Sequence, residues 1–254
     1  MSSTSPVPAA TASRPHFLTR APARVLRTVR RELSTWQQTQ ELRPILDKIR
    51  PYSMVPEFSL IHLAGVVNSV VAERLPGNVV ETGTWRGGAS FMMAELLRRA
   101  GVDDKTVFLC DSFEGHRPPE EVDGQAALEY AANTDDPEYL NNCRADLDDV
   151  LRTRKLLGLE SRTECVKGWF DETLPRHKER FGPIALLRID CDWYASVKTV
   201  LDELYDQVVD GGYVIFDDYF SYDGCAVAAH EFLGLRKLSH RLHTEGGVAY
   251  FRKV

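Results

Sequence analysis

The sequence predicts an α/β fold: a doubly wound, mostly parallel sheet covered by helices on both faces and closed at one edge by an antiparallel hairpin. Three observations lead there. Beyond Pro51, short β-rich runs alternate with stretches of helical period, the pattern of strand, crossover helix and parallel strand. The last two β-like pieces, HRLHT and GVAYFRK, have no helix between them, so they read as a hairpin. A chain of 254 residues, 43% hydrophobic and 27% charged, supports one sizeable core and is too apolar for general disorder.

Residues 1–31 hold six arginines and no acidic residue, and 1–20 read as a disordered basic tail. A transit peptide shares this composition, as does a basic arm that docks on an acidic surface. At 21–50 the pattern turns helical, with Val25, Leu26, Val29, Leu33 and Trp36 at three- and four-residue spacing. An apolar stripe outside the core needs a partner, so a homodimer or larger oligomer is expected. Residues 51–254 form the main domain. Its strands are expected at NVVETG (78–83), TVFLCD (106–111), TECVKGWF (163–170), ALLRID (185–190) and YVIFDD (213–218). Helices are expected at Ala89 to Arg99, Tyr139 to Leu157, Ala195 to Val208 and Ala226 to Leu235. The acidic stretch from Glu114 to Asp136 lacks strong periodicity and reads as a surface insertion or a lid over substrate.

A formal net charge of −6 offers no basic field for nucleic acid, so a small molecule is the expected partner. The five cysteines are odd in number, widely spaced and never C-x-x-C, which fits a reduced, cytoplasmic compartment. No apolar run reaches the roughly 20 residues of a membrane span, and no signal-peptide core is present.

In an open parallel sheet, ligands bind at the carboxyl ends of the strands. The first such end is VVETGTWRGGAS, where Glu81, Thr82 and Gly83 lead through Gly87 and Gly88 into a helix. Glycines there allow close backbone approach and a sharp turn. The spacing is G-x-x-x-G-G rather than the G-x-G-x-x-G of pyrophosphate binding, which argues against a nicotinamide cofactor. Asp111 ends the next strand, 28 positions after Gly83, where an acidic side chain accepts hydrogen bonds from ribose hydroxyls. Together the two ends indicate a nucleoside without the phosphates. The plainer alternative is a tight turn shaped by the glycines and a helix cap at Asp111. RIDCDWY and VIFDDYF then place Asp190, Asp192, Asp217 and Asp218 at two further strand ends. Four adjacent carboxylates repel one another unless something positive lies between them, and a hard divalent cation such as Mg²⁺ is the natural occupant. Each pair alone is also compatible with helix N-caps.

Taken in order, ETGTWRGG, CDSFEG, KGWFDETLP, LRIDCDWY and FDDY resemble the macrocin O-methyltransferase family, class I enzymes that methylate sugar and phenolic hydroxyls of natural products. The resemblance runs from about Tyr52 to the C-terminus. It implies a Rossmann-like, seven-stranded sheet, a mobile lid, S-adenosylmethionine as cofactor and a Mg²⁺ site. By position, Glu81, Thr82, Gly83 and the loop through Gly87 face the methionine end of the cofactor, Asp111 holds the ribose, Ser112 lies beside the adenine and Trp169 walls it. Tyr52-Ser53-Met54 matches a Tyr-Thr-Met that touches the cofactor, with serine keeping the hydroxyl. Asp190, Asp217 and Asp218 match the metal ligands, and the catalytic base comes from RIDCDWY. Two positions depart from the pattern: Ser59 and Ala226 stand where arginines are usual, which bears on the acceptor rather than the reaction.

The general base is Asp190 or Asp192, since a metal-bound hydroxyl loses its proton to a neighbouring carboxylate. His116 and His230 read as ordinary polar residues, with His116 the stronger candidate for function. Trp85 reads as core or cofactor wall, and Cys191 lacks a partner histidine close in sequence. Besides the Mg²⁺-dependent O-methyltransferase, a non-catalytic or oligomerisation protein retaining the cofactor fold stays open, because fold alone does not separate them.

Overall fold

The computed structural model describes residues 40–254 apart from 137, 138 and 140, so the tail and residues 21–39 of the expected arm lie outside the described residues. Residues 42–49 are helical (α1). Strands β1 (Asn78–Thr82), β2 (Val107–Asp111), β3 (Thr163–Lys167), β4 (Ile184–Ile189) and β5 (Val208–Phe216) pair in parallel. The hairpin of β6 (His243–Glu245) and β7 (Val248–Arg252) closes one edge, with β7 antiparallel to β5. The sheet order is β3-β2-β1-β4-β5-β7-β6. The winding therefore reverses between β1 and β4, and loops leaving their carboxyl ends part to open a crevice.

Side chains alternate across this sheet and are covered on both sides. Val79, Leu109, Leu186 and Ile215 face a layer made by α1, α2 (Glu57–Ala72), α3 (Gly88–Arg99) and α5 (Leu147–Leu156). Val80, Phe108, Leu187, Val214 and Phe216 face α6 (Phe170–Phe181), α7 (Tyr194–Leu204) and α8 (Asp223–Leu235). Leu42–Val254 form one compact unit. Among the described residues no helix is long and apolar enough to cross a membrane, and the five cysteines are free thiols.

Several boundaries differ from expectation for local reasons. The helix expected from Tyr139 begins only at Leu147, because Asn141, Asn142 and Cys143 each adopt φ 54, a left-handed turn no α-helix tolerates. Asp146 then caps α5 by accepting from Asp148 N at 2.8 Å. The third strand stops at Lys167 instead of Phe170: Gly168 turns at φ 136 with its N–H bonded to Asp111 O at 2.9 Å, and α6 starts immediately after. Helix α2 had no counterpart in the sequence reading, since its run of valines and leucines blurs the helical period. The acidic stretch 114–136 contains α4 (Gln125–Ala132), and its Asp123 is buried, capping α7 by accepting from Tyr194 N at 2.6 Å. The stretch is thus anchored to the start of α7 at this point.

Two glycines of the β1 loop serve contacts within the chain. Gly83 stands at φ 81, and a Cβ there would collide with the carbonyl oxygen of Asp190. Gly88 lets the backbone of Tyr52 and the Cβ of Ser53 rest against the start of α3, where a Cβ would come 2.6 Å from Tyr52 O. Gly83→Ala adds the left-handed backbone cost to overpacking, about 2–5 kcal/mol together, and the urea midpoint should fall accordingly. An unchanged midpoint would contradict the close approach of the β1 and β4 ends.

Candidate active site

A cavity of about 310 Å³ opens over the carboxyl ends of β1, β2, β4 and β5. Of the residues singled out from the sequence, Ser53, Met54, Glu81, Gly83, Asp111, Ser112, Trp169, Asp190, Asp192, Asp217 and Asp218 all line it. Thr82 and Gly87 do not. Thr82 is fully buried, its hydroxyl aimed at Arg188 O at 3.4 Å, and Gly87 turns at φ 85 beneath Phe91 to start α3.

Asp111 organises the cavity's β1–β2 side. Its Oδ2 accepts from Thr84 N (2.7 Å) and Trp85 N (2.9 Å), and its Oδ1 from Phe113 N (2.7 Å). The carboxylate thus shapes the glycine loop as well as facing the cavity. Burial pushes its pKa above the ordinary carboxylate range, with the three backbone donors opposing. Ser112 is satisfied within its own turn, accepting from Glu114 N and donating to Gly115 O, both at 3.0 Å. Ser53 Oγ accepts from Val55 N at 3.2 Å. Trp169 carries the guanidinium of Arg117 4.6 Å above its ring, and Arg117 is held by both oxygens of Asp171 at 3.0 Å. Because Asp111 does two tasks, Asp111→Ala should weaken nucleoside binding by at least the roughly 1–3 kcal/mol of one buried partner, read by calorimetry with S-adenosylhomocysteine. Unchanged affinity would remove Asp111 from the ribose site.

At the β4–β5 side, three of the four expected carboxylates converge. One carboxylate oxygen from each of Asp190, Asp217 and Asp218 lies within 4.8 Å of the others. The positive charge beside them is Arg188 from β4, a residue the sequence reading passed over. It is 1% exposed and places Nη1 at 2.5 Å from both Glu81 Oε1 and Asp190 Oδ2. Its Nη2 lies 2.5 Å from Asp217 Oδ1, off the hydrogen-bond axis, so that contact is electrostatic. Glu81 is held on its other oxygen by the Ser90 hydroxyl. The expected repulsion among the carboxylates is thus relieved in part by the protein itself, which supplies one positive group. The signal was available, since a charged residue inside the apolar strand ALLRID must find a partner.

Arg188 does not neutralise the whole set. Burial drives Asp190 and Asp218 well above the usual carboxylate range; Arg188 opposes this at Asp190, while neighbouring carboxylates add to it at both. Asp190 and Asp217 each engage Arg188 through one oxygen, and Asp218 Oδ2 accepts from Asp192 N at 3.1 Å. Each aspartate keeps a second oxygen outside these contacts. An all-oxygen donor set with residual negative charge suits a hard divalent cation such as Mg²⁺.

Asp192 stands outside this trio but its carboxyl still meets that of Asp218, and its Oδ2 lies 2.5 Å from His116 Nε2. Burial disfavours charge on both, but their mutual attraction, with Asp218 and Arg188 adding to it at Asp192 and Asp111 at His116, prevails: the Asp192 carboxyl sits below its ordinary range and the His116 imidazole above.

A seven-stranded sheet in this order, with its penultimate position reversed and its cavity spanning the β1–β4 switch point, defines the class I methyltransferase fold. The family model for macrocin-O-methyltransferase (TylF) matches residues 19–253, and the chain belongs to that family. It is 33% identical over 201 residues to the 8-demethyl-8-(2,3-dimethoxy-alpha-L-rhamnosyl)-tetracenomycin-C 4'-O-methyltransferase of Streptomyces olivaceus, covering 79% of this chain and 74% of the relative. Demethyldecarbamoylnovobiocin O-methyltransferase of Streptomyces niveus is 35% identical over 181 residues, covering 71% and 67%. The solved O-methyltransferase NovP superposes with a TM-score of 0.71 at 30% identity, over 80% of this chain and 82% of that one.

Proposed function

We propose that this protein methylates a hydroxyl of a small glycosylated natural product, using S-adenosylmethionine and Mg²⁺. The observation that carries the reading is the convergence of Asp190, Asp217 and Asp218 in the same cavity that Asp111 and the glycine loop border. Family membership supports the reaction class, and a relative whose name specifies a rhamnosyl group supports a sugar acceptor.

Asp111 and the Gly83 turn hold the nucleoside, with Ser53, Met54, Ser112 and Trp169 along the cofactor's length and Glu81 toward its methionine end. Asp190, Asp217 and Asp218 are the metal ligands. When bound, S-adenosylmethionine supplies an electrophilic methyl group and Mg²⁺ acidifies the acceptor hydroxyl. The cavity walls would hold donor and acceptor together, and positioning of this kind contributes a large share of the rate gain. Asp192 is assigned as general base: Asp190 is committed to Arg188 and the ligand trio, whereas Asp192 borders them and is held in its charged form by His116. Ser59, buried in α2, and Ala226, on α8, stand where the family resemblance has arginines, and neither is among the residues lining the cavity. The test is incubation with S-adenosylmethionine, Mg²⁺ and a panel of demethylated glycosides and phenols, followed by mass spectrometry for added CH₂. No methylated product from any hydroxylated acceptor would overturn the assignment.

A further inference from the structure

We infer that His116 is a positioning residue for the methyl transfer: its Nε2–H holds Asp192 so that the carboxylate's other oxygen faces the acceptor. This rests on the functional reading above and assigns a task to a residue outside the cofactor and metal sets.

Asp192 is fixed at both ends. It stands at φ 58, a left-handed conformation that a non-glycine residue keeps only when its surroundings hold it. Its backbone N–H donates to Asp218 Oδ2 at 3.1 Å, and its Oδ2 meets His116 Nε2 at 2.5 Å. The turn therefore ties Asp192 to the acid trio, where its carboxyl still meets that of Asp218, while one of its oxygens reaches His116.

His116 is equally constrained. Its ring sits edge-on to Trp193, centroids 4.9 Å apart, and Trp193 Nε1 donates to the carbonyl of Arg117 at 2.9 Å. The backbone on either side of the ring is clasped by Asn142, which accepts from His116 N at 3.2 Å and donates to His116 O at 2.9 Å. Gly115, at φ 91, permits that clasp: a Cβ there would lie 2.5 Å from Asn142 O. Apart from its own loop, these contacts come from two segments, residues 192–193 and Asn142, so the ring cannot swing without breaking several of them.

The remaining ring nitrogen decides the role. His116 Nδ1 is buried without a hydrogen-bond partner among the described residues. A proton there would be a buried donor with no acceptor, so the single imidazole proton belongs on Nε2, facing Asp192. The pull of Asp192 raises the ring's affinity for protons, and because Nδ1 has no acceptor, the proton that the geometry fixes is the one on Nε2 facing Asp192. Shut away from solvent, Nδ1 is no proton acceptor for substrate, which excludes His116 itself as the base. Asp192 Oδ1 is left to receive the proton. As the acceptor's O–H bond breaks, its oxygen forms the bond to the methyl carbon, the S–C electron pair stays on sulfur, and the proton goes to Asp192 and then to solvent. His116 keeps its own proton throughout, the arrangement by which a histidine–carboxylate pair fixes orientation.

The test compares wild type with His116→Leu and His116→Gln on the acceptor identified above, together with ¹⁵N NMR of the histidine ring in the resting protein. His116→Leu should lower kcat by about ten- to a hundredfold, the scale of a misplaced reacting group, with the KM values for cofactor and acceptor unchanged. His116→Gln, whose amide nitrogen can donate to the same oxygen, should recover most of the loss. The wild-type ring should show the Nε2–H tautomer, and Asp192→Asn should perturb it. Full kcat in His116→Leu, a loss confined to KM, no recovery in His116→Gln, or an Nδ1–H tautomer would each overturn the inference. If wild type lacks turnover while the Nε2–H tautomer is present, the functional reading fails and the pairing stands as structural.

Discussion

Asp217→Asn is expected to lose methyl transfer and Mg²⁺ affinity together, with the fold and cofactor binding retained. Asparagine keeps the shape and removes the charge, so one ligand of the trio with Asp190 and Asp218 is weakened where all three lie within 4.8 Å. A bound cation contributes several kcal/mol to the transition state, so the fall should exceed about a hundredfold. Asp190→Asn and Asp218→Asn should behave alike, whereas Asp192→Asn should lose roughly a hundredfold to ten-thousandfold in turnover with metal affinity intact, as expected of a lost base. Excess EDTA should abolish turnover without unfolding the chain, because Arg188 still faces Glu81, Asp190 and Asp217. Metal-free protein should also carry a pH signature. Asp190 and Asp218 have folded-state pKa values raised above their unfolded ones, burial being the main cause. Between the ordinary carboxylate pKa and those raised values, the folded chain binds more protons than the unfolded one, so stability falls as pH rises. Saturating Mg²⁺ should flatten that slope. Full turnover in excess EDTA, with all three asparagine variants active, would leave the trio as a structural cluster around Arg188.

Arg188→Met should destabilise the protein by about 3–5 kcal/mol, the cost of removing one partner from a buried ionic group. Methionine fills much of the volume, so the loss reports uncompensated charge on Glu81, Asp190 and Asp217 more than a cavity. The sign of its pH dependence follows from the same residues. Burial already raises Glu81 and Asp190 against the opposing charge of Arg188. Without the arginine both carboxyls move higher still, and the folded variant takes up protons that the unfolded chain lacks. The destabilisation should therefore be smaller at pH 5 than at pH 8, measured as the shift in denaturant midpoint at each. A loss under about 1 kcal/mol, flat with pH, is what a solvated surface ion pair shows and would contradict the buried network.

Much of the architecture was legible without coordinates. The β-rich runs at NVVETG, TVFLCD, ALLRID and YVIFDD became β1, β2, β4 and the second half of β5, and the terminal pieces became the β6–β7 hairpin. Acidic residues closing those runs marked the cavity's rim, because parallel strands deliver their final side chains to one edge. What local pattern missed was equally specific. Asn141, Asn142 and Cys143 unwind the start of an expected helix through left-handed backbone angles that no hydrophobic period reports. Helix α2 hides behind its own valines.

The sequence by itself determined which chemical groups reach the strand ends and how the chain alternates between helix and sheet, since propensity, periodicity and turn chemistry act over a few residues. Only the tertiary structure decided who partners whom. Arg188 meets Glu81 across 107 positions because β1 and β4 are neighbours in the sheet. The four aspartates divide into a trio and an outlier because the turn after β4 throws Asp192 toward His116, which lies on the loop after β2. Gly83 is required by the carbonyl of Asp190 pressing on it from another strand. Charge pairing and close approach depend on distances between segments remote in sequence, and those distances exist only once strand order and backbone handedness have closed the sheet.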